Sequence, residues 1–246
     1  MAPVVIVTAV TESYFPGVVA LANSLINSPG AELHCFCFGD QSLVDSVKAL
    51  GIHAHPAPEW DVNYPTSENW PEAVPASYFR LMIPRLFADE ERVVWVDADC
   101  IVVDSLEPLA QMEFSQPVAA VYIPNDRYKL GFQVRGLPAE LASIQCTFNG
   151  LLVFNIAEWN WQDITRQCEA VMNSETDLVF RYIDQSVLSY VLRGNFHHLA
   201  PEWQVFAGRK TKIPHQAKIL HWVGAGLPWR DEVNNQATWN QYAAAT

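Results

Sequence analysis

The chain has 246 residues, half of them hydrophobic, enough to fill the core of one large α/β domain or two small ones. This composition excludes a disordered or fibrous protein. Asp and Glu number 27 against 15 Lys and Arg, so the formal net charge is −12. A surface of that sign repels phosphate backbones and anionic lipid headgroups, so we expect no nucleic-acid partner.

The N-terminal residues and the cysteines indicate in which cellular compartment the protein is found. Met1-Ala2-Pro3 leads into a short apolar run that lacks the length and the preceding positive residues of a secretion signal. No segment approaches the roughly 20 apolar residues of a membrane-spanning helix, so we expect a soluble, cytoplasmic protein. The odd number and scattered spacing of the cysteines favour reduced, mostly buried thiols over a zinc site or a disulfide framework. They are Cys35, Cys37, Cys100, Cys146 and Cys168.

Apolar runs alternate with helical patterns from the first residues, which predicts an α/β protein with a parallel or mixed sheet. The first 55 residues are predicted to fold as βαβαβ. Five prolines within 56–75 then indicate a long irregular connection. Strands are predicted at 4–8, 33–38, 52–55, 92–96, 118–122, 151–155 and 218–221, and helices at 17–26, 43–50, 77–87 with Ser77 as cap, 162–173 and 184–192, with an irregular segment at 123–147.

Two aspartates follow the predicted strand at 92–96. Asp97 and Asp99 reach the carboxyl end of that strand, the edge where open α/β sheets bind ligands. In extended geometry they point to the same side, and at about 4 Å their repulsion is roughly 4 kcal/mol at an effective dielectric near 20. Mg²⁺ or Mn²⁺ would relieve this repulsion, since both prefer oxygen ligands. The alternative is a solvated turn with two ordinary surface aspartates.

Six segments follow one another in a recognisable order along nearly the whole chain: Val7–Tyr14, Tyr78–Leu81, Val94–Val102, Phe148–Asn155, the Asp184-Gln185 pair, and Ile219–Gly224 with Pro228-Trp229. In this order they resemble the retaining glycosyltransferases of family 8, of the glycogenin and bacterial lipopolysaccharide galactosyltransferase type. The resemblance implies a GT-A fold, a single domain with a mixed, mostly parallel central sheet flanked by helices. It further implies a nucleotide-binding half from residue 1 to about 105 and an acceptor-binding half from about 106 to 246.

The activity that the resemblance implies is transfer of a hexose from a UDP-sugar to a hydroxyl of a carbohydrate or glycoconjugate acceptor, with retention of configuration. The implied cofactor is Mn²⁺, with Mg²⁺ as the alternative, bound by Asp97, Asp99 and His221. Two carboxylates and one imidazole suit this ion and leave positions for a diphosphate. For the other histidines we expect structural roles. They are His34, His53, His55, His197, His198 and His215.

The resemblance also implies which residues bind the nucleotide of the donor. Ala9, Thr11 and Tyr14 would line the uridine, with the Tyr14 ring as a stacking face, and Ala98 would let the ribose approach the backbone. The Gly224 backbone N–H would contact the diphosphate. A simpler role stays open for Thr11, which could cap the following helix instead.

The resemblance implies a second group of residues, which would contact the sugar-phosphate and the sugar ring of the donor. Arg80 would face the sugar-phosphate, while Asn149, Asp184 and Gln185 would surround the sugar ring, with Arg80, Asp184 and Gln185 as catalytic residues. A surface salt bridge for Arg80 and an N-cap for Asp184 are the simpler roles. Gln185 is a weak nucleophile, which favours front-face displacement.

The chain departs from the family pattern in two places. Phe148-Asn149-Gly150 is one residue shorter than the usual motif, which leaves the alignment of Asn149 open. Leu227 stands where the family has a lysine that neutralises the leaving diphosphate. Arg80 is the first candidate to replace that lysine. The departure keeps open a catalytically weakened UDP-sugar- or carbohydrate-binding protein, and a metal-dependent phosphohydrolase is a third interpretation. The other candidate cations are Arg209, Lys210, Lys212 and Arg230.

Overall fold

The structure is a computed structural model that describes residues 3–67, 74–175, 177–209, 212–223 and 226–243. Its strands are β1 (Val4–Val10), β2 (Ala31–Cys37), β3 (His53–Pro56), β4 (Arg92–Val96), β5 (Cys100–Val102), β6 (Val118–Val121), β7 (Val134–Arg135), β8 (Leu151–Asn155), β9 (Val179–Phe180), β10 (His197–Leu199), β11 (Val205–Phe206) and β12 (Ile219–His221). Its α-helices are α1 (Phe15–Ser24), α2 (Gln41–Lys48), α3 (Pro75–Tyr78), α4 (Ile83–Leu86), α5 (Glu107–Ala110), α6 (Leu130–Gln133), α7 (Ile156–Trp161), α8 (Ile164–Met172), α9 (Ile183–Leu192) and α10 (Gln236–Ala243).

The predicted α/β class with a mixed, mostly parallel sheet is confirmed, and so is the βαβαβ order of the first 55 residues. β1 pairs in parallel with β2 and β4, β2 pairs in parallel with β3, and β10 pairs in parallel with β6. β6 and β8 are antiparallel. Between the end of β3 at Pro56 and the start of α3, the described residues contain no strand and no helix, as the prolines of this connection predicted.

The helix predicted over 77–87 is wrong as a continuous element. α3 begins at Pro75, before the predicted Ser77 cap, a 3-10 turn spans Phe79–Leu81, and α4 follows. Pro84 explains the interruption, because it has no N–H to donate and its ring clashes with the carbonyl of Arg80 four residues earlier.

The helix predicted over 162–173 is preceded by a separate helix, α7, that the pattern did not show. Asp163 adopts a left-handed conformation with φ 53° and separates α7 from α8. Within 123–147, predicted to be irregular, the chain forms α6, β7 and two 3-10 turns. These elements have two to four residues each, too short for a hydrophobic period to reveal them.

The chain divides into two compact units, and the segments that form one unit alternate along the sequence with those that form the other. Unit 1 comprises Met1–Ala57, Val94–Met112 and Ala200–Thr246, and unit 2 comprises Pro58–Val93 and Glu113–Leu199. These units are defined by compactness. The nucleotide-binding and acceptor-binding halves, predicted to meet near residue 105, are defined by substrate and stay a prediction.

Unit 1 contains a parallel sheet with the strand order β4-β1-β2-β3 and a smaller sheet with the order β11-β12-β5. The first five residues of β1 are buried, as expected for a strand covered on both faces. Helix α1 packs closely on the loop after β4. A Cβ on Gly17 would lie 2.5 Å from the Ala98 carbonyl oxygen, so any larger residue there would displace that loop.

Unit 2 contains β10, β6 and β8 in that order, and a two-stranded antiparallel pair of β7 and β9. Buried hydrogen bonds tie its helices to its loops. The Trp159 indole donates to Thr165 Oγ1 at 2.9 Å, and the Thr165 hydroxyl donates to the Leu81 carbonyl at 2.7 Å. These two hydrogen bonds fix α7 and α8 against the turn that carries Arg80.

All five cysteines are buried, and the described residues contain no disulfide, which agrees with the predicted reduced thiols. None of the helices that the structure describes is long and apolar enough to cross a membrane.

Candidate active-site residues

The two aspartates after β4 lie in a turn, so the extended geometry expected for them is wrong. β4 ends at Val96, and the Cys100 N–H donates to the Asp97 carbonyl at 3.1 Å, which closes the turn before β5 begins. The Trp95 indole N–H donates to Asp97 Oδ1 at 2.7 Å and fixes that carboxylate. Asp99 is buried.

The pairing of β5 with β12 brings His221 to these carboxylates. In this antiparallel pair His221 lies opposite Cys100, and the Trp222 N–H donates to the Asp99 carbonyl at 3.1 Å. His221 Nε2 lies 3.0 Å from Asp99 Oδ1 and 3.8 Å from Asp97 Oδ2. We call Asp97, Asp99 and His221 the metal cluster. The structure thus brings the three predicted ligands together within unit 1.

The sequence did not single out two neighbours of the metal cluster. Cys100 is buried, and its thiol lies within 4.8 Å of the ligand atoms of Asp99 and His221. Gln204 is buried, and its Nε2 lies 2.8 Å from His221 Nδ1. Only the folded arrangement of β11 beside β12 reveals Gln204, because no motif contains it.

Gln204 supplies a test of whether the metal cluster fits an ion. Among the described residues no donor reaches Gln204 Oε1, although that oxygen is buried. A half-turn of the Gln204 amide places Oε1 where Nε2 stands, and Oε1 then accepts a hydrogen bond from the His221 Nδ1–H. The His221 Nε2 lone pair then points at the two carboxylates. The donor set, two carboxylate oxygens and one oriented imidazole, fits Mn²⁺ or Mg²⁺.

The residues predicted to line the uridine lie at the carboxyl end of β1 and in the turn after it. Ala9 is half-buried, and Tyr14 has 37% of its surface exposed. The Tyr14 ring packs edge-on against Trp229 at 5.5 Å, and the Trp229 indole donates to the Ser13 carbonyl at 3.0 Å. Burial, and then the negative charges of Asp99 and Asp97, raise the pKa of Tyr14 to about 12, so its hydroxyl is neutral at physiological pH.

Thr11 does not cap the turn that follows it with its side chain. Its Oγ1 lies 3.1 Å from the Ser13 hydroxyl, while its carbonyl accepts the Tyr14 N–H. Thr11 therefore occupies the N-cap position of the 3-10 turn Glu12–Tyr14 without a side-chain capping bond, and uridine contact stays a prediction.

The turn after β12 is described only in part. Gly224 and Lys210, both named from the sequence, lie outside the described residues. Leu227 is buried, and its backbone N–H donates to Asp231 Oδ2 at 2.8 Å. The Asp231 N–H donates back to the Leu227 carbonyl at 2.9 Å, which makes the segment a closed turn.

Unit 2 brings Arg80, Asn149 and Asp184 together, and we call these three the Arg80 cluster. All three are buried. Arg80 Nε lies 3.2 Å from Asp184 Oδ2, its Nη1 donates to the Asn149 carbonyl, and Asn149 Nδ2 donates to the same Asp184 oxygen at 2.9 Å. The alternative of a surface salt bridge is wrong for Arg80, because its ion pair is shielded from water.

Asp184 is not the N-cap of α9. The helix begins at Ile183 with Tyr182 as N-cap, so Asp184 lies within the first turn. Ile183 has φ 39°, a left-handed conformation that is rare for a β-branched residue and costs of the order of 1–3 kcal/mol. Backbone strain of this kind clusters at functional sites, and Ile183 directly precedes Asp184.

Further polar groups surround the Arg80 cluster. The Thr147 hydroxyl donates to Asn149 Oδ1 at 2.8 Å and lies 3.1 Å from the Ser189 hydroxyl. Gln185 is half-buried, and its Oε1 accepts from the Asn149 N–H at 3.4 Å. The sequence did not single out Thr147 or Ser189, because only the packing of α9 against the loop before β8 brings their hydroxyls together.

We expect His221→Gln to weaken Mn²⁺-dependent UDP binding at least about tenfold, because the amide replaces an imidazole donor. His221 is the last residue of the buried strand β12, in agreement with the strand predicted at 218–221, so alanine would also create a cavity. Calorimetry with and without Mn²⁺ measures the effect, with thermal melting as the fold control. Collapsed melting with unchanged Mn²⁺ dependence would show that His221 is structural.

Comparison with solved structures defines the class of fold. The chain superposes on the galactosyltransferase LgtC, solved with donor and acceptor sugar analogs, with a TM-score of 0.70 and 19% identity over 97% of this chain and 94% of that one. It superposes on the bifunctional glycosyltransferase WbbM with a TM-score of 0.74 and 19% identity over 100% of this chain and 50% of that one. The fold is that of the GT-A glycosyltransferases, as predicted.

Sequence comparison then gives the family. The model of the family described as glycosyl transferase family 8 matches residues 5–233, and the chain belongs to this family. Glycosyltransferase 8 domain-containing protein 1 of Xenopus tropicalis is 25% identical over 201 residues, 68% of this chain and 54% of the relative. General stress protein A of Bacillus subtilis is 24% identical over 180 residues, 65% of this chain and 61% of the relative.

A third relative is the lipopolysaccharide glucosyltransferase WaaO of Escherichia coli, 23% identical over 180 residues, 68% of this chain and 52% of the relative. This chain therefore spans little more than half the length of these curated relatives.

Proposed function

We propose that this chain is a metal-dependent, retaining glycosyltransferase that moves a hexose from a UDP-sugar to a hydroxyl of a carbohydrate or glycoconjugate acceptor. The observation that carries the proposal is the metal cluster, in which two carboxylates that follow a sheet strand meet an oriented imidazole. Membership of family 8 supports glycosyl transfer as the class of reaction.

Asp97, Asp99 and His221 would hold Mn²⁺, or Mg²⁺ as the alternative. When bound, the ion neutralises charge on the diphosphate leaving group. Gln204 acts as a positioning residue, because its hydrogen bond to Nδ1 fixes the plane and the tautomer of His221. Trp95 has the same role for Asp97, whose Oδ1 accepts the indole N–H.

The nucleotide would contact a neutral aromatic side chain, and the sugar would contact side chains that donate and accept hydrogen bonds. Tyr14 offers a partly exposed ring on which uracil can stack, and its hydroxyl stays neutral. Asn149, Asp184 and Gln185 offer acceptors and donors suited to sugar hydroxyls. The Arg80 guanidinium supplies the opposite charge beside Asp184, with Nε 3.2 Å from Asp184 Oδ2, and the Asn149 amide donates to the same oxygen and so orients it.

Retention of configuration follows here from front-face displacement. The Asp184 carboxylate is already ion-paired with Arg80 and accepts a hydrogen bond from Asn149, and the Gln185 amide is a weak nucleophile, so neither suits a covalent intermediate. The acceptor oxygen attacks the anomeric carbon on the face from which the diphosphate leaves. The bond from that carbon to the phosphate oxygen breaks, and the leaving phosphate oxygen takes the acceptor proton.

The test is incubation of the purified chain with Mn²⁺ and a panel of UDP-sugars in the absence of acceptor. We expect slow release of UDP and free sugar from one donor, with early NMR spectra showing the donor's anomeric configuration in the released sugar. Release of UMP and a sugar phosphate would instead identify a phosphohydrolase. UDP binding with no release of sugar, even with a panel of acceptor glycans, would identify a binding protein.

Leu227→Lys tests the departure from the family pattern. Because Leu227 is buried in a closed turn beside Asp231, we expect a lysine there to pair with that carboxylate and to change turnover less than about threefold. Leu227→Met is the matched control for side-chain length without charge. A gain of tenfold or more with lysine alone would show that the wild-type chain lacks diphosphate stabilisation, and would favour the weakened, sugar-binding alternative.

The cytoplasmic location predicted from the sequence stays part of this proposal. Five buried thiols without a disulfide among the described residues support a reducing compartment.

A further inference from the structure

A second group of metal-ligating side chains lies in unit 1 on β2 and β3, outside the metal cluster. The parallel register pairs His34 with His53 and Phe36 with His55. Glu32 precedes His34 by two residues, so alternation along β2 puts both side chains on one face of the sheet. β3 is the last strand in the order β4-β1-β2-β3, so the group lies at an edge.

The geometry of the group suits one ion. Glu32, His34 and His53 each offer one ligand atom, and these atoms all lie within 4.8 Å of one another. The His34 and His53 rings stack at 4.5 Å. Glu32 and His53 are exposed and His34 is half-buried, so an ion from solvent can reach the group without unfolding of the strands.

His55 orients His34. His34 Nδ1 and His55 Nε2 are hydrogen-bonded at 3.1 Å, and the two rings are nearly parallel, with an interplanar angle of 7°. The Phe36 ring stacks on His55 at 4.8 Å and supports it from β2. An imidazole held at Nδ1 presents Nε2 to a ligand, which is how outer partners set the tautomer of metal-binding histidines.

The surroundings of His34 and His55 disfavour protonation of both imidazoles. Burial, and then the neighbouring His53 and His55, lower the pKa of His34 to about 4. Burial, and then His53, also lower the pKa of His55.

We propose that Glu32, His34 and His53 form a binding site for a divalent transition metal of the Zn²⁺ class, with His55 as the residue that orients His34. Two imidazoles and one carboxylate provide three protein ligands and leave a fourth position for water, the ligand number of an open zinc site. The site differs in chemistry from the metal cluster, whose two carboxylates suit Mn²⁺ or Mg²⁺. A bound ion would join two neighbouring strands and so stabilise unit 1.

The experiment is a titration with Co²⁺, and then Zn²⁺, of the full chain carrying Asp97→Asn and Asp99→Asn. These substitutions weaken the metal cluster, so the result does not depend on the proposed function. We expect one equivalent of Co²⁺ to give the intense visible absorption of a tetrahedral site, and Zn²⁺ to displace it. Zn²⁺ should also raise the melting temperature of this parent chain.

Two variants of the parent chain and one matched control assign the site. His53→Ala and Glu32→Gln change exposed side chains, so both should fold, and each should lower Co²⁺ affinity at least about tenfold. His198→Ala is the control, because His198 is an exposed strand histidine that stacks on Tyr122 in unit 2. Equal Co²⁺ affinity in the parent and in both variants, or only weak octahedral absorption in the parent, would overturn the proposal.

Discussion

Asp99→Asn is expected to abolish Mn²⁺-dependent UDP binding and to lower turnover at least about 100-fold, the scale on which loss of a preorganised charge-stabilising group acts. The substitution keeps the shape of the side chain and removes one negative charge beside His221 Nε2, 3.0 Å away. Asp97→Asn should have a similar effect, with the Trp95 indole still bonded to the remaining oxygen. Both variants should fold, because Asn can accept the same hydrogen bonds at one atom.

Calorimetry of UDP binding with and without Mn²⁺ measures this effect, and turnover is followed as UDP release. Asp104→Asn is the matched control in unit 1. Asp104 is a half-exposed carboxylate paired with Lys218, and its loss should leave Mn²⁺-dependent binding unchanged. Equal UDP affinity in the presence and absence of Mn²⁺ for the wild-type chain would contradict the metal assignment.

Arg80→Ala is expected to lower turnover at least about 100-fold and to destabilise the protein by about 3–5 kcal/mol. Arg80 and Asp184 have side chains only 8% and 7% exposed, so removing the guanidinium leaves a buried carboxylate without its counter-charge. UDP and Mn²⁺ binding should survive, because the residues proposed for both belong to unit 1.

A double substitution separates the two effects. Arg80→Met with Asp184→Asn removes both charges, so much of the lost stability should return while turnover stays low. Arg85→Ala is the control, because Arg85 is an exposed residue of the same segment whose ion pair with Glu169 should contribute at most about 1 kcal/mol. Full activity of Arg80→Ala would refute a role for Arg80 and direct attention to Arg209, Lys212 and Arg230.

Local sequence was enough for several elements of the fold. Apolar runs of β1 and β2, and the helical period between them, predicted the βαβαβ start because burial on both faces leaves a strong pattern. The predicted helix over 77–87 failed because a proline outweighed the apolar period. The short strands β10 and β11 carry too few residues for any period to be read.

The sequence by itself determined the α/β class, the family and the residue types that carry the chemistry, because these depend on composition, period and motif order. Only the tertiary structure decided which of those residues meet. The register of β5 with β12 sets His221 beside Asp99, and the adjacent β11 adds Gln204. The burial of Arg80 with Asp184 is likewise a result of packing. Side chains far apart in the chain are joined by strand pairing and burial, which no local pattern encodes.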